Sequence, residues 1–363
     1  MKELVELTEE FVKIISNMEN QRMKTGELLK EMNSSAIDLE DEILENKMII
    51  PMKQSSMDKL KIAGVDGGIV KRSFHGVDMM LVRSVAVLFN YENKKLSSVE
   101  YHPDSIPSPM PRIIFDPLSD LEFEINSNME RQITEASTSA EAIEKFKPEI
   151  LLMHGSIVPH YTEKPAPTSL LFATYQKMIE TYRKLFESAQ KNNTILAGVI
   201  EDSRGVRFCE IINKIIAKNN KEINPEAKIL LSKTNDSNLL AYTLQLGERT
   251  FIFKYSSDSQ KHPILKEFKP EIFTFYIKSA EFDRPIRVDF LGGSNLVDTA
   301  NKISSAILST TGHSNYGIPA VLIEADQRAK LSENDIENFY LDLISKAGNL
   351  PGLFNLRREQ RPF

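Results

Sequence analysis

Between residues 128 and 202 the chain alternates helical with extended apolar segments, and that alternation restricts it to an α/β fold with some parallel strand pairing. Met129, Ile133, Ala136, Ala140, Ile143 and Phe146 recur at helical spacing until Pro148 stops the pattern. The run Ile150-Leu151-Leu152-Met153 follows at once and ends at His154-Gly155-Ser156. A helix over residues 169–191 then leads into another apolar strand over 194–202. Upstream, Ile62-Ala63-Gly64-Val65-Asp66 is a short apolar run ending in a carboxylate before Gly67-Gly68. An adjacent strand is predicted over 79–89 and a third, antiparallel, over 94–100. Further strands are expected over 250–255, 272–277 and 286–291, with helices over 295–310 and 332–347. No internal repeat or low-complexity tract interrupts this order.

The first 55 residues differ in kind. Leu4, Leu7, Phe11, Ile14 and Ile15 fall at helical spacing among many Glu and Lys, which predicts a helical arm packing on the body. Residues 56–350 form the expected body, within which prolines at 103, 107, 109, 111 and 117 make 101–119 an extended crossing. Residues 351–363 are a tail.

Composition narrows function mainly by exclusion. With 363 residues, 41% hydrophobic and 26% charged, the chain is an ordinary globular protein. A net charge of -6 gives no global signature of a nucleic-acid binder, so any DNA contact must come from a local basic groove. Cys209 is the single cysteine, which excludes an intrachain disulfide and a thiolate zinc site and points to a reducing cytoplasm. No run approaches the roughly 18 apolar residues of a membrane span, so the expected protein is soluble.

Metal-assisted hydrolysis of a phosphodiester requires several acids to converge, and strand ends and a neighbouring helix are where an α/β fold collects them. Asp66 is the first candidate, with a structural turn as its competing role. The helix after the crossing carries Glu130, Glu135, Glu141 and Glu144; Glu135 stands nearest the apolar side, between Ile133 and Ala136. His154 ends a strand and offers a metal ligand or a proton donor, whereas His154 and His160 are too loosely spaced for a zinc pair. Glu324 and Asp326 cannot share one helical face, so only one of them is expected at a site and the other in solvent. Lys71, Arg72 and Arg204, near the supposed strand ends, are candidate phosphate contacts.

Taken in order, the helical N-terminus, Ala63-Gly64-Val65-Asp66-Gly67-Gly68, the helix bearing Glu135, the strand before His154-Gly155-Ser156 and the late Ile323-Glu324-Ala325-Asp326 resemble the NurA family of DNA nucleases. The resemblance implies a ribonuclease H-like core, with a mixed central sheet flanked by helices. It further implies manganese- or magnesium-dependent cleavage of single- and double-stranded DNA, a homodimer, and partnership with the hexameric HerA translocase in DNA end processing. Carried over residue by residue, Asp66 matches the first-strand ligand, Glu135 the helix acid with Glu130 as fallback, and Asp326 the late ligand. On that reading Asp66 bridges two ions, Glu135 and Asp326 complete one side each, and His154 is a weaker ligand or a proton donor. Two positions depart from the family: His154 replaces an Asp, which removes a negative charge from the site, and Ile318 replaces a frequent aromatic.

Two other classes fit parts of the pattern. An actin-like or sugar-kinase ATPase would use Asp66-Gly67-Gly68 and Gly292-Gly293-Ser294 as phosphate turns, although no Walker-type loop accompanies them. A non-catalytic adaptor on a translocase would explain His154 at a ligand position.

Overall fold

The computed structural model describes residues 2–33, 42–54, 56–115, 118–160, 164–218 and 225–347; the tail expected at 351–363 lies outside them. Along the chain, α1 (Lys2–Met32) and the short β1 (Ile49–Pro51) precede β2 (Lys61–Ser73), β3 (Val77–Glu92), β4 (Lys95–His102) and β5 (Met110–Phe115). Helices and strands then alternate through α2 (Asp120–Phe146), β6 (Ile150–His154), α3 (Phe172–Lys191) and β7 (Ile195–Ile200). Next come α4 (Arg207–Lys218), α5 (Pro225–Leu231) and α6 (Asp236–Thr243). The strands β8 (Glu248–Thr250), β9 (Phe253–Lys254), β10 (Ile272–Ile277) and β11 (Ile286–Leu291) lead to α7 (Leu296–Thr310), α8 (Ala320–Ala329) and α9 (Glu333–Ala347).

The chain divides into two compact units, Met1–Ser56 with Gly198–Ser259 and Pro270–Pro319, and Met57–Ala197 with Gln260–Lys269 and Ala320–Phe363. In the first unit, β8 joins β1 and β10, β10 pairs antiparallel with β11, and α1 packs against α5 and α6. Within the expected N-terminal arm, the described Leu29, Ile43, Met48 and Ile49 share one core with Phe208, Ile212, Leu240 and Phe251. The expected apolar stripe does not pack on this unit, since Leu7, Phe11, Ile14 and Ile15 are about half exposed. Residues 203–243, which carry α4 to α6, had no expectation attached.

The second unit holds the parts that matter for function. Its strands run in the order β6–β2–β3–β4, with β5 added to β3 and the first residues of β7 beside β6. β2, β3 and β4 form an antiparallel meander, and β6 lies parallel to β2 on its other side. This is the mixed, helix-flanked arrangement of a ribonuclease H-like core. Ile150, Leu151, Leu152 and Met153 of β6 are all buried, as the unbroken apolar run requires of a strand covered on both faces. The proline-rich crossing is extended, as expected, and in addition supplies β5. α2 begins earlier than its apolar period shows, at a capping box in which the Ser119 hydroxyl accepts from the Glu122 amide and the Glu122 carboxylate accepts from the Ser119 amide. It ends on Lys147 in the left-handed conformation, φ 48°, just before Pro148.

Candidate metal centre

β2 does not stop at Asp66. The strand runs without a break through Gly67 and Gly68 to Ser73, with Asp66 opposite Val85 and Gly68 opposite Arg83 on β3. The glycines therefore serve close approach and not a turn. A Cβ on Gly64 would stand 2.7 Å from the Val321 carbonyl oxygen, and one on Gly68 would stand 2.2 Å from that of Ala329. Both neighbours belong to α8. A Cβ on Gly67 would instead meet the Glu135 side chain of α2, 2.5 Å from its Cγ. Because side chains alternate along a strand, α8 covers one face of β2 and α2 the other, and Asp66 points to the α8 face. The absence of a turn at Gly67-Gly68 also removes the phosphate loop that an actin-like ATPase would need there.

On the α8 face Asp66, His154 and Asp326 converge: each offers a ligand atom, and these atoms lie within 4.8 Å of one another. β6 delivers His154 because its register sets Met153 beside Val65, so the next residue falls beside Asp66. Asp66 is 6% exposed and its carboxylate is held at both oxygens, Oδ1 accepting from the Gly67 amide at 2.7 Å and Oδ2 facing His154 Nδ1 at 3.0 Å. Ser84 donates its hydroxyl to the Asp66 carbonyl at 2.8 Å and so fixes the backbone from β3. Asp326 is half-buried on α8.

Two carboxylates and an imidazole this close together are a donor set for one divalent ion, since ligands about 2.0 to 2.6 Å from one centre lie at most about 5.2 Å apart. The donor set suits manganese, which accepts both oxygen and imidazole nitrogen.

Glu135 is not part of that group. It arrives from the α2 face, 4% exposed, lying over Gly67 and in an ion pair with Arg131 one turn earlier. Burial pushes its carboxyl up to about 7, the charge of Asp66 adds to the rise, and Arg131 opposes it. Glu135 in turn raises the Arg131 guanidinium above its ordinary value. The fallback acid, Glu130, faces Arg112 at 3.3 Å.

The remaining candidates divide clearly. Lys71 is paired with Glu124, and Arg72 is paired with Glu337 while lying over the rings of Phe74 and Tyr340, so both charges are already matched. Arg204 is an exposed residue of the first unit. Glu324 is not in solvent as expected but accepts hydrogen bonds from Tyr101 and Arg328, each at 2.8 Å. Arg131 carried no expectation, although its spacing of four from Glu135 is a signal that sequence contains. Ser84 gave none, since a serine within an apolar strand reads only as a gap in the pattern.

The NurA domain family model matches residues 60–331. Among solved structures, the NurA nuclease from Sulfolobus solfataricus is 16% identical with a TM-score of 0.60, and the match covers 96% of this chain and 98% of that one. A NurA structure bound to dAMP and manganese is 11% identical with a TM-score of 0.54, covering 95% and 98%. None of the curated proteins compared with the chain matches it. Among the described residues no helix is long and apolar enough to cross a membrane.

Proposed function

As a member of the NurA family of metal-dependent nucleases, this chain, we propose, is a deoxyribonuclease that cleaves single- and double-stranded DNA by 5'-3' exonuclease and endonuclease action. The observation that carries the proposal is the convergence of Asp66, His154 and Asp326 beside a buried Glu135. The manganese and dAMP bound to one structural neighbour support the same metal and the same substrate class. We further propose two ions, manganese or magnesium, a homodimer, and work with a HerA-type hexameric translocase in cytoplasmic DNA end processing. The exposed apolar stripe of Leu7, Phe11, Ile14 and Ile15 on α1 supports the homodimer, since such patches mark association surfaces.

Divalent ions, when bound, supply Lewis-acid activation of water and neutralise charge on the phosphate. The chain's own residues hold and orient. The Gly67 amide fixes Asp66 Oδ1, which leaves Oδ2 directed at His154. His154, whose Nδ1 faces Asp66, would hold an ion or pass a proton to a leaving oxygen. Asp326 closes the group from α8.

Purified protein incubated with linear DNA and manganese tests this reading. Degradation that is lost in Asp66→Ala supports it. ATP hydrolysis with no degradation would sink it, and DNA or translocase binding without cleavage would make the chain the adaptor that His154 suggested. Replacing His154 by Asp should preserve or raise activity if the imidazole is a ligand, and should abolish it if the imidazole moves a proton.

A further inference from the structure

Glu135 approaches Asp66 from the opposite face of β2, through the gap left where Gly67 has no side chain. The group that meets it there is Arg131, four residues earlier on the same helical face and in contact with its Oε1. The two ends of this ion pair differ in surroundings. The Glu135 side chain is 6% exposed, whereas that of Arg131 is 32% exposed. The guanidinium also lies within electrostatic reach of Asp66 and Tyr182. A buried carboxylate needs a cation, and removing the partner of such a pair leaves an uncompensated charge. An ion held by Asp66, His154 and Asp326 would be a second cation available to the same carboxylate, with twice the charge. The partly exposed Arg131 can be met by water once Glu135 turns to another cation.

We propose that Arg131 is a positioning residue in competition with the metal: its guanidinium keeps the Glu135 carboxylate on Gly67, outside the Asp66–His154–Asp326 group, and a bound divalent ion draws Glu135 away from it. The inference rests on reading that group as the metal centre. It makes stability without the ion and affinity for the ion trade against each other through a single side chain.

Manganese titrations and thermal unfolding of the full-length protein, with and without manganese, test the competition in Arg131→Met, Arg131→Lys and Glu135→Gln. Without the ion, Arg131→Met should melt at a lower temperature than wild type. It should nevertheless bind manganese at least about threefold more tightly, because a repelling charge is gone, and gain more in Tm on adding the ion. Arg131→Lys, which keeps the charge, should behave as wild type. With Glu135→Gln already in place, Arg131→Met should no longer tighten binding, as expected of two residues acting through one contact. Should Arg131→Met fail to fold, Arg131→Gln keeps a donor to Glu135 without the charge and carries the same expectation. Unchanged or weaker manganese binding on loss of Arg131, or an equal fall in Tm with and without the ion, overturns the competition alone. If wild type binds no manganese, the metal-centre reading falls together with it.

Discussion

The two faces of β2 use the same device for opposite ends. On the α8 face, Gly64 and Gly68 let the backbone of a helix come against the strand, and the residue between them, Asp66, meets two further ligands. On the α2 face, Gly67 admits a side chain, Glu135, whose charge is met by Arg131 from its own helix. One face presents carboxylates to an incoming cation; the other supplies its own. Three glycines in five residues are thus explained by which neighbour each one admits, and the neighbours differ in whether they can move.

That difference orders the expected effects. The largest belongs to the open face: Asp66→Ala should lower manganese-dependent cleavage by more than about a hundredfold, beyond the loss typical of outer-shell changes, as measured by initial rates on linear DNA. If Glu135→Gln proves the more damaging of the two, the assignment of the faces is reversed. Next comes packing. Gly68→Ala places a Cβ against the Ala329 carbonyl, a backbone atom, and should cost about 1–3 kcal/mol as overpacking does, whereas Gly293→Ala, with nothing within 4 Å, should cost far less. Gly67→Ala should fall between them in chemical denaturation, because the Glu135 side chain can yield where a carbonyl cannot.

A smaller effect follows from pH. Burial holds the Glu135 carboxyl up to about 7 against an ordinary 4.5, so between these values the folded protein binds a proton that the unfolded chain releases. Stability should therefore decline as pH rises from about 4.5 toward 7, and Glu135→Gln should lack this part of the slope. Urea midpoints of both proteins at several pH values measure it; parallel curves would mean that Glu135 is not held protonated by its surroundings.

Much of this fold lay open in the sequence because its signals are local. The apolar period of α2, the unbroken run of β6 and the proline stop at Pro148 each depend on a few adjacent residues, and each led to the element found. Asp66 and His154 were also legible as candidates, since each ends an apolar run, whereas the choice of Asp326 over Glu324 came only from the resemblance to the NurA family. What sequence hid was anything decided by a distant neighbour. Gly67-Gly68 looks like a turn until α2 and α8 are seen to occupy the space of the missing side chains. Glu135 looks like a neighbour of Asp66 on one face until the pleat sets it over Gly67 on the other, paired with Arg131. Glu324 looks solvated until Tyr101, 223 residues away, is found bonded to it. The stripe on α1 predicts burial, and periodicity alone cannot say that the first unit leaves it exposed.

The central claim is that Asp66, His154 and Asp326 together hold a divalent ion. Electron paramagnetic resonance of free manganese, followed as protein is added, counts the ions bound without reference to any activity. Wild type should remove the free-ion signal and Asp66→Asn should leave it essentially intact, whereas equally tight binding by Asp66→Asn would contradict the account.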